Sequence, residues 1–389
     1  MSFDPISVAG AGFGLSDGER APVSLKERFV IPPFSVLRAM DGDWMSRKRA
    51  WLSLGIQSEV GRGENVEGGA APSGAPRPMS RGWGKEHPQE TEQQRARKIY
   101  DGKKASPGHT PGAACDYSKG QRGDGAGKPI PGTEKKEVKG LTFRSTGFMA
   151  EVLEERGGGT SIFDPVLCEL AYRWWCPAGG SILDPFSGGS VRGIVAAMLE
   201  RQYTGIDLRP EQIEANEAQW GDIGSRNYSK DKPAPKWVVG DSQNVRRLAP
   251  GEYDFVFSCP PYGDLEVYSD NPHDLSTMPH EDFIESYRTI IARSCSLLKD
   301  NRFACFVVGD FRDKQGFYRN FVSDTIAAFE DAGVGFYNEG ILVTAIGSLP
   351  VRIKKQFNSG RKLGKTHQNI LVFYKGDPKK IKEEFGEDF

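Results

Sequence analysis

From about residue 140 the hydrophobic positions fall into short apolar runs that alternate with longer helix-like stretches, separated by polar and glycine-marked turns. Ser181-Ile182-Leu183-Asp184 is a brief apolar strand, followed by a glycine turn and a helix over Arg192–Arg201. Tyr203–Asp207 and a helix over Glu211–Trp220 repeat the unit, and Trp237-Val238-Val239 and Phe255-Val256-Phe257 add two more strands. A helix over 281–299 leads into the strongly apolar Phe303–Val308, and a further helix lies around 319–332. Two late strands are expected at Gly340–Thr344 and Ile370–Tyr374. Repeated strand–helix units predict an α/β fold with a mostly parallel, doubly wound sheet. The late strands, with no long helix expected between them, predict a terminal antiparallel hairpin.

The texture differs elsewhere. Residues 1–60 carry short apolar stretches, notably Phe29–Leu37, and a basic amphipathic piece in which Trp44 and Trp51 flank Arg47-Lys48-Arg49. This small N-terminal segment is a candidate for nucleic-acid contact. Residues 61–138 are rich in Gly, Pro, Lys and Glu and nearly empty of aliphatics, so the segment reads as a disordered or loosely held insertion. The packed domain spans 139–376, and a charged tail covers 377–389. The formal charge of the 389 residues is −1, so attraction to a polyanion has to come from a local patch. Cysteines at 115, 168, 176, 259, 295 and 305 show no paired metal-ligand spacing, which fits reduced thiols in a cytoplasmic protein and no metal site. Neither a signal peptide nor a run long enough to span a bilayer is evident, so no membrane association is expected.

Candidate chemistry gathers at the predicted strand ends. Asp184-Pro185-Phe186-Ser187-Gly188-Gly189-Ser190 lies between a strand and a helix, where glycines admit close backbone approach and a helix N-terminus offers N–H groups. Asp207, followed by Leu208, ends the second strand, where a carboxylate accepts hydrogen bonds from ribose hydroxyls. Asp241-Ser242 ends the third, within reach of an adenine amino group. The fourth strand runs into Ser258-Cys259-Pro260-Pro261-Tyr262. Two prolines stiffen that exit, and the tyrosine offers a face on which an extruded base can stack.

Together these stretches resemble the DNA amino-methyltransferases, which modify adenine N6 or cytosine N4 and whose motifs are Asp-Pro-Phe-x-Gly-x-Gly and Asp/Asn/Ser-Pro-Pro-Tyr/Phe. Phe163-Asp164-Pro165-Val166-Leu167 is similar to the family segment that holds the methionine end of the cofactor, and His367–Lys375 to a late strand. The resemblance covers about 140–376; the first sixty residues look like those of phage-encoded members. It implies a Rossmann-like fold and S-adenosylmethionine bound at Phe163, Asp164, Asp184, Phe186, Ser187, Gly188, Gly189, Asp207, Leu208, Asp241 and Ser242. It also implies catalysis on a flipped base of double-stranded DNA by residues 258–262. Two departures stand out. The glycine turn is compressed to Gly188-Gly189-Ser190, and Cys259 occupies the usual Asp, Asn or Ser position. A thiol accepts hydrogen bonds weakly, which leaves the carbonyls of Cys259 and Pro260, or a rotated Ser258, to hold the target amine. Cys259 resembles serine in size, a slight tilt towards cytosine. Alternatives are an RNA or protein amino-methyltransferase, a pyrimidine-C5 enzyme with Cys259 as nucleophile, and an inactive DNA-binding relative.

Between Leu349 and Thr366 lies a glycine-containing basic segment, expected as a loop, with Arg352, Lys354, Lys355, Arg361, Lys362 and Lys365. Such a run suits phosphate contacts or is simply a solvated face. The acidic stretch 263–282, with Asp264, Glu266, Tyr268, Asp270 and His273, either closes over a base or is a solvated loop.

Overall fold

Alternation along each strand sends successive side chains to opposite faces of one sheet, and two hydrophobic cores form there. On β6 (Leu298–Val308), Phe303, Cys305 and Val307 enter one core, while Ala304, Phe306 and Val308 enter the other. The computed structural model describes residues 28–57, 163–227, 232–265, 267–346 and 349–386. The 61–138 segment lies outside the described residues, as does Cys115.

The remaining strands are β1 (Val36–Arg38), β2 (Ser181–Asp184), β3 (Gln202–Asp207), β4 (Lys236–Val239), β5 (Tyr253–Ser258), β7 (Gly335–Val343) and β8 (His367–Lys375). They join β6 in an eight-stranded sheet of order β1-β7-β8-β6-β5-β2-β3-β4. Only β8 runs against its neighbours, antiparallel to both β6 and β7. Helices α1 (Gly42–Leu52), α2 (Pro165–Trp175), α3 (Val191–Met198) and α4 (Pro210–Asn227) contribute to the first core. Helices α5 (His280–Leu297) and α6 (Phe321–Asp331) contribute to the second. The fold is therefore Rossmann-like, mostly parallel and doubly wound, as the hydrophobic pattern predicts, and the late strands β7 and β8 pair antiparallel, with β1 added outside them.

Two elements depart from expectation. The basic segment opens as a helix, α7 (Leu349–Gly360), so a twelve-residue helix does separate the late strands. Leu349 is buried and Ile353 half-buried four residues on, a spacing that gives the helix an inner face. Gly360 closes it, and Arg361 turns left-handed at φ 51° while donating its N–H to the Phe357 carbonyl at 2.8 Å. The glycine there marks the helix end, and only 361–366 form a loop. At the other end of the chain, the described part of the first sixty residues is built into the domain. β1 adds to the edge of β7, and α1 packs on α2, where Arg47 and Trp51 bond the fully buried Glu169 and Lys48 pairs with Asp164 at 3.1 Å. Two of the three cations in Arg47-Lys48-Arg49 thus hold the fold together.

Candidate active site

The sheet changes winding direction between β2 and β5, which is where an open α/β sheet leaves a crevice at its carboxyl edge. The glycine turn and the Pro-Pro-Tyr segment leave the sheet side by side at that point. Asp184 ties them together. One carboxylate oxygen accepts from Ser258 Oγ at 2.5 Å and Phe186 N at 3.2 Å; the other accepts from Arg192 Nε at 2.6 Å and Tyr203 Oη at 2.7 Å. An ionised carboxylate has about four acceptor sites, so this fully buried group has none left for a ligand. Asp184, expected to touch the cofactor, is instead the internal post that shapes the turn. Ser258 is equally committed, since it also accepts Phe186 N at 3.2 Å, and it cannot rotate towards a base while those bonds stand.

Arg192 escaped the sequence reasoning. It is the one charged residue in Val-Arg-Gly-Ile-Val-Ala-Ala-Met, and a cation inside an apolar helix was the available signal. Its guanidinium donates to the carbonyls of Phe186 and Ser187 and lies 4.7 Å from the Phe163 ring centroid. Burial opposes its charge, and Asp184 more than restores it, so the group stays cationic. One side chain thereby connects the 163–165 segment, the Asp184 turn and, through Asp184, the strand of Ser258.

The remaining expected cofactor positions line the same edge. Gly188 adopts φ 48°, and a Cβ there would meet no atom within 4 Å, so the turn presents bare backbone beside open space. Half-buried Gly189 and half-buried Leu208 flank it, while Ser187 is fully buried and its hydroxyl finds no partner among the described residues. Asp207 accepts Gly188 N at 3.1 Å on one oxygen and Arg209 N at 2.9 Å on the other. Those bonds orient the carboxylate and leave acceptor capacity on a side chain 15% exposed. Burial raises its pKa, with Arg209 and the two amides working against that rise. Asp241 caps the next turn by accepting Gln243 N at 2.8 Å, and His273 Nδ1 approaches its other oxygen at 3.3 Å. Ser242 donates inward to the Pro185 carbonyl at 2.5 Å and so acts on the turn itself. Asp164 caps α2 through Val166 N, and Trp44 Nε1 and Lys48 bond its second oxygen, so its role too is to set the segment that carries Phe163.

Pro260 is buried, and Cys259, Pro261 and Tyr262 are half-exposed. The Cys259 thiol lies 3.7 Å from the Tyr262 hydroxyl. That hydroxyl accepts from Gln368 Nε2 at 3.1 Å and donates to the Val307 carbonyl at 3.4 Å, so β8 and β6 together fix the ring. Burial, then the neighbouring Cys259, push the Tyr262 pKa well up, and the phenol stays protonated. Gln368 is a second residue that sequence reasoning missed, because its partner is 106 positions away. Cys168, Cys176, Cys295 and Cys305 are buried, with the Cys176 and Cys295 thiols pushed up to about 12 by burial, which leaves Cys259 as the half-exposed thiol among the described residues. No cluster of potential metal ligands occurs among the described residues, and no described helix is long and apolar enough to cross a membrane.

The expected phosphate-binding cations are spread along α7 and the loop after it. Lys354, Lys355 and Arg361 are exposed, and Lys362 is half-buried. Lys365 turns inward and donates to the Asp310 carbonyl at 3.3 Å, and burial lowers its pKa. The side chain of Arg352 and all of Glu266 lie outside the described residues.

Fold and site together define a Rossmann-like α/β domain with its crevice at the β2–β5 switch point. No protein-family model matches the sequence, and no curated protein does. Solved structures similar to the chain include TrmN from Thermus thermophilus, at 14% identity and TM-score 0.36 over 55% of this chain and 49% of that one. An rRNA methylase from Streptococcus thermophilus is 9% identical with TM-score 0.36, over 56% of this chain and 100% of its own. The magnesium protoporphyrin IX methyltransferase of Synechocystis, solved with bound SAM, is 14% identical with TM-score 0.35, over 64% and 100%. The chain spans about half the length of the first of these.

Proposed function

We propose that this protein is an S-adenosylmethionine-dependent methyltransferase acting on the exocyclic amino group of a base, cytosine N4 or adenine N6, flipped from double-stranded DNA. The observation that carries the reading is the Ser258–Asp184–Phe186 linkage. It joins the Pro-Pro-Tyr segment to the glycine turn across the switch point, so a methyl donor and an acceptor amine would share one crevice. The residues fit the donor. The bare backbone at Gly188 would take its chain, Asp207 retains acceptors for a pair of vicinal hydroxyls, and Asp241 ends the next strand near the place of an adenine.

When bound, S-adenosylmethionine supplies an activated methyl group. The protein's part is to position the acceptor for in-line displacement, a contribution that can lower a barrier by several kcal/mol, about 7–11 in the best-oriented cases. The carbonyls of Cys259 and Pro260 would accept the amino hydrogens and aim the nitrogen lone pair. The Tyr262 ring, held at its hydroxyl by Gln368 and Val307, would support the base plane. Exposed Lys354, Lys355 and Arg361 would meet phosphates, which supply affinity without sequence information.

Incubation with tritiated-methyl cofactor and DNA, RNA or protein tests this directly. Label is expected in DNA, and Tyr262→Ala and Pro260→Ala are expected to abolish it while cofactor binding, followed by calorimetry, persists. Full activity in both variants would defeat the assignment.

A further inference from the structure

β6 and β8 run antiparallel, with Val308 opposite Asn369, so the segment leaving β6 and the segment entering β8 emerge at one edge of the sheet. That edge also carries Cys259–Tyr262, because Ser258 pairs with Phe306 in parallel β5–β6. The two segments carry exposed large apolar side chains: Phe317 (70% exposed), Tyr318, Phe357 and Leu363 (74%). Burying them would recover apolar contact, yet two of the rings stand beside cations. Arg312 lies 3.8 Å from the Tyr318 ring centroid, and Arg361 lies 5.3 Å from that of Phe357.

The two segments are one surface. Lys362 reaches over the tight turn at Gly316, where a Cβ would sit 2.5 Å from its Nζ, and Lys365 binds the Asp310 carbonyl at 3.3 Å. The loop is held in shape from within. Asp313 accepts the N–H groups of Gly316 and Phe317 at 2.7 and 2.9 Å, and Arg312 donates to the Gly316 carbonyl at 2.8 Å. Desolvation works to raise the Asp313 carboxyl, and the amides of Phe317 and Gly316 together with Arg319 outweigh it and hold the group below its usual range. Continuity with the catalytic segment is direct. Phe311, which opens the loop, packs so closely on Gly263, the residue after Tyr262, that a Cβ there would fall 2.7 Å from its ring.

Exposed rings interleaved with cations, on a preformed loop beside the Cys259–Tyr262 segment, match the requirements of an unpaired nucleic-acid strand. Phosphates need the cations, and bases released from their partners need flat apolar faces. A duplex offers the phosphates and hides the faces. We propose that the 311–318 loop and the 357–363 segment form a stacking platform for unpaired nucleotides next to the target base. This rests on the nucleic-acid reading above and adds that the strand is held open beyond the one flipped base.

The test is anisotropy of a fluorescein-labelled oligothymidylate and of a labelled duplex of equal strand length, titrated with full-length protein at several salt concentrations. Phe317→Ala/Tyr318→Ala is expected to weaken the single strand by roughly tenfold or more, the size of a lost base–aromatic contact, with little change for the duplex. Arg361→Ala/Lys362→Ala is expected to weaken both and to reduce the salt slope by about two. Unchanged thermal melting and cofactor affinity would show that the variants fold, and Phe317→Trp is expected to bind as the parent does. Wild-type affinity for the single strand in the Phe317→Ala/Tyr318→Ala variant would overturn the platform while leaving the nucleic-acid reading intact. Wild-type protein that binds cofactor but neither oligonucleotide would overturn both.

Discussion

At the scale of single residues, the decisive group is one whose type the sequence displays and whose job it hides. Asp184 stands in an Asp-Pro-Phe turn and invites assignment as a ligand to the cofactor. In the structure its four acceptor sites are filled by Ser258, Phe186, Arg192 and Tyr203. Two of those partners lie 19 and 74 residues away, beyond the reach of any local pattern. Asp207 stands at the end of β3, where the apolar pattern places it, because a strand boundary is a local feature that the sequence displays. Ser258 and Cys259 are adjacent yet predicted to respond in opposite ways. Ser258→Ala removes a buried bond to a charged acceptor and is expected to cost about 1–3 kcal/mol in urea unfolding, with loss of cofactor affinity as the turn loosens. Cys259→Ser keeps size and half-exposure, so stability should stay within about 1 kcal/mol and methyl transfer should continue. Abolition of transfer by Cys259→Ser, with trapping of a covalent adduct in the parent, would restore the thiol as a nucleophile.

Among elements, β2 to β5 lie within two residues of where the apolar runs place them, whereas β6 and β7 begin five residues before the predicted runs and the edge strand β1 has no strand signal of its own. The helix α7 was not legible either. Its glycine and dense cations read as loop, and only the seat found by Leu349 against the domain, with Ile353 one turn further on, makes a helix of it. The Arg47-Lys48-Arg49 patch shows the converse error of scale. A cation run looks like a surface feature, but Glu169 on α2 is fully buried and draws Arg47 inward, with Arg173 bonding the same carboxylate at 2.9 Å. Burial alone would raise the Glu169 pKa; Arg47 leads the groups that lower it. Arg47→Ala should therefore destabilise the fold by about 3 kcal/mol, the penalty for stripping one partner from a buried charge. Its effect on the salt dependence of DNA binding should be nil. A reduced salt slope without loss of stability would place Arg47 at the nucleic acid instead.

For the whole molecule, charge balance near zero means that function and acid stability depend on where charges sit. Asp254, at the amino end of β5, binds the Ser181 amide, Lys299 and Arg302, and Arg302 reaches on to Glu384 in the last helical turn. Burial would raise this carboxyl, and those partners outweigh it and bring it down to about 2. A folded-state pKa below the unfolded one gives stability that is complete above about pH 4 and fades as pH falls towards about 2. After allowance for solvent, the loss is about 1–2 kcal/mol, and Asp254→Asn should flatten that limb of the stability–pH curve. An unchanged curve would exclude the cluster as the acid-sensitive clasp. This clasp lies at the edge of the sheet opposite the crevice, so the fold can be weakened there without touching the chemistry. The central claim concerns the crevice itself, and mass spectrometry of nucleosides from DNA incubated with protein and S-adenosylmethionine tests it most directly. A new N4-methylcytosine or N6-methyladenine peak, absent with Tyr262→Ala, is the predicted result. Cofactor bound at full occupancy with no methylated nucleoside from DNA, or methylation at pyrimidine C5, would contradict it.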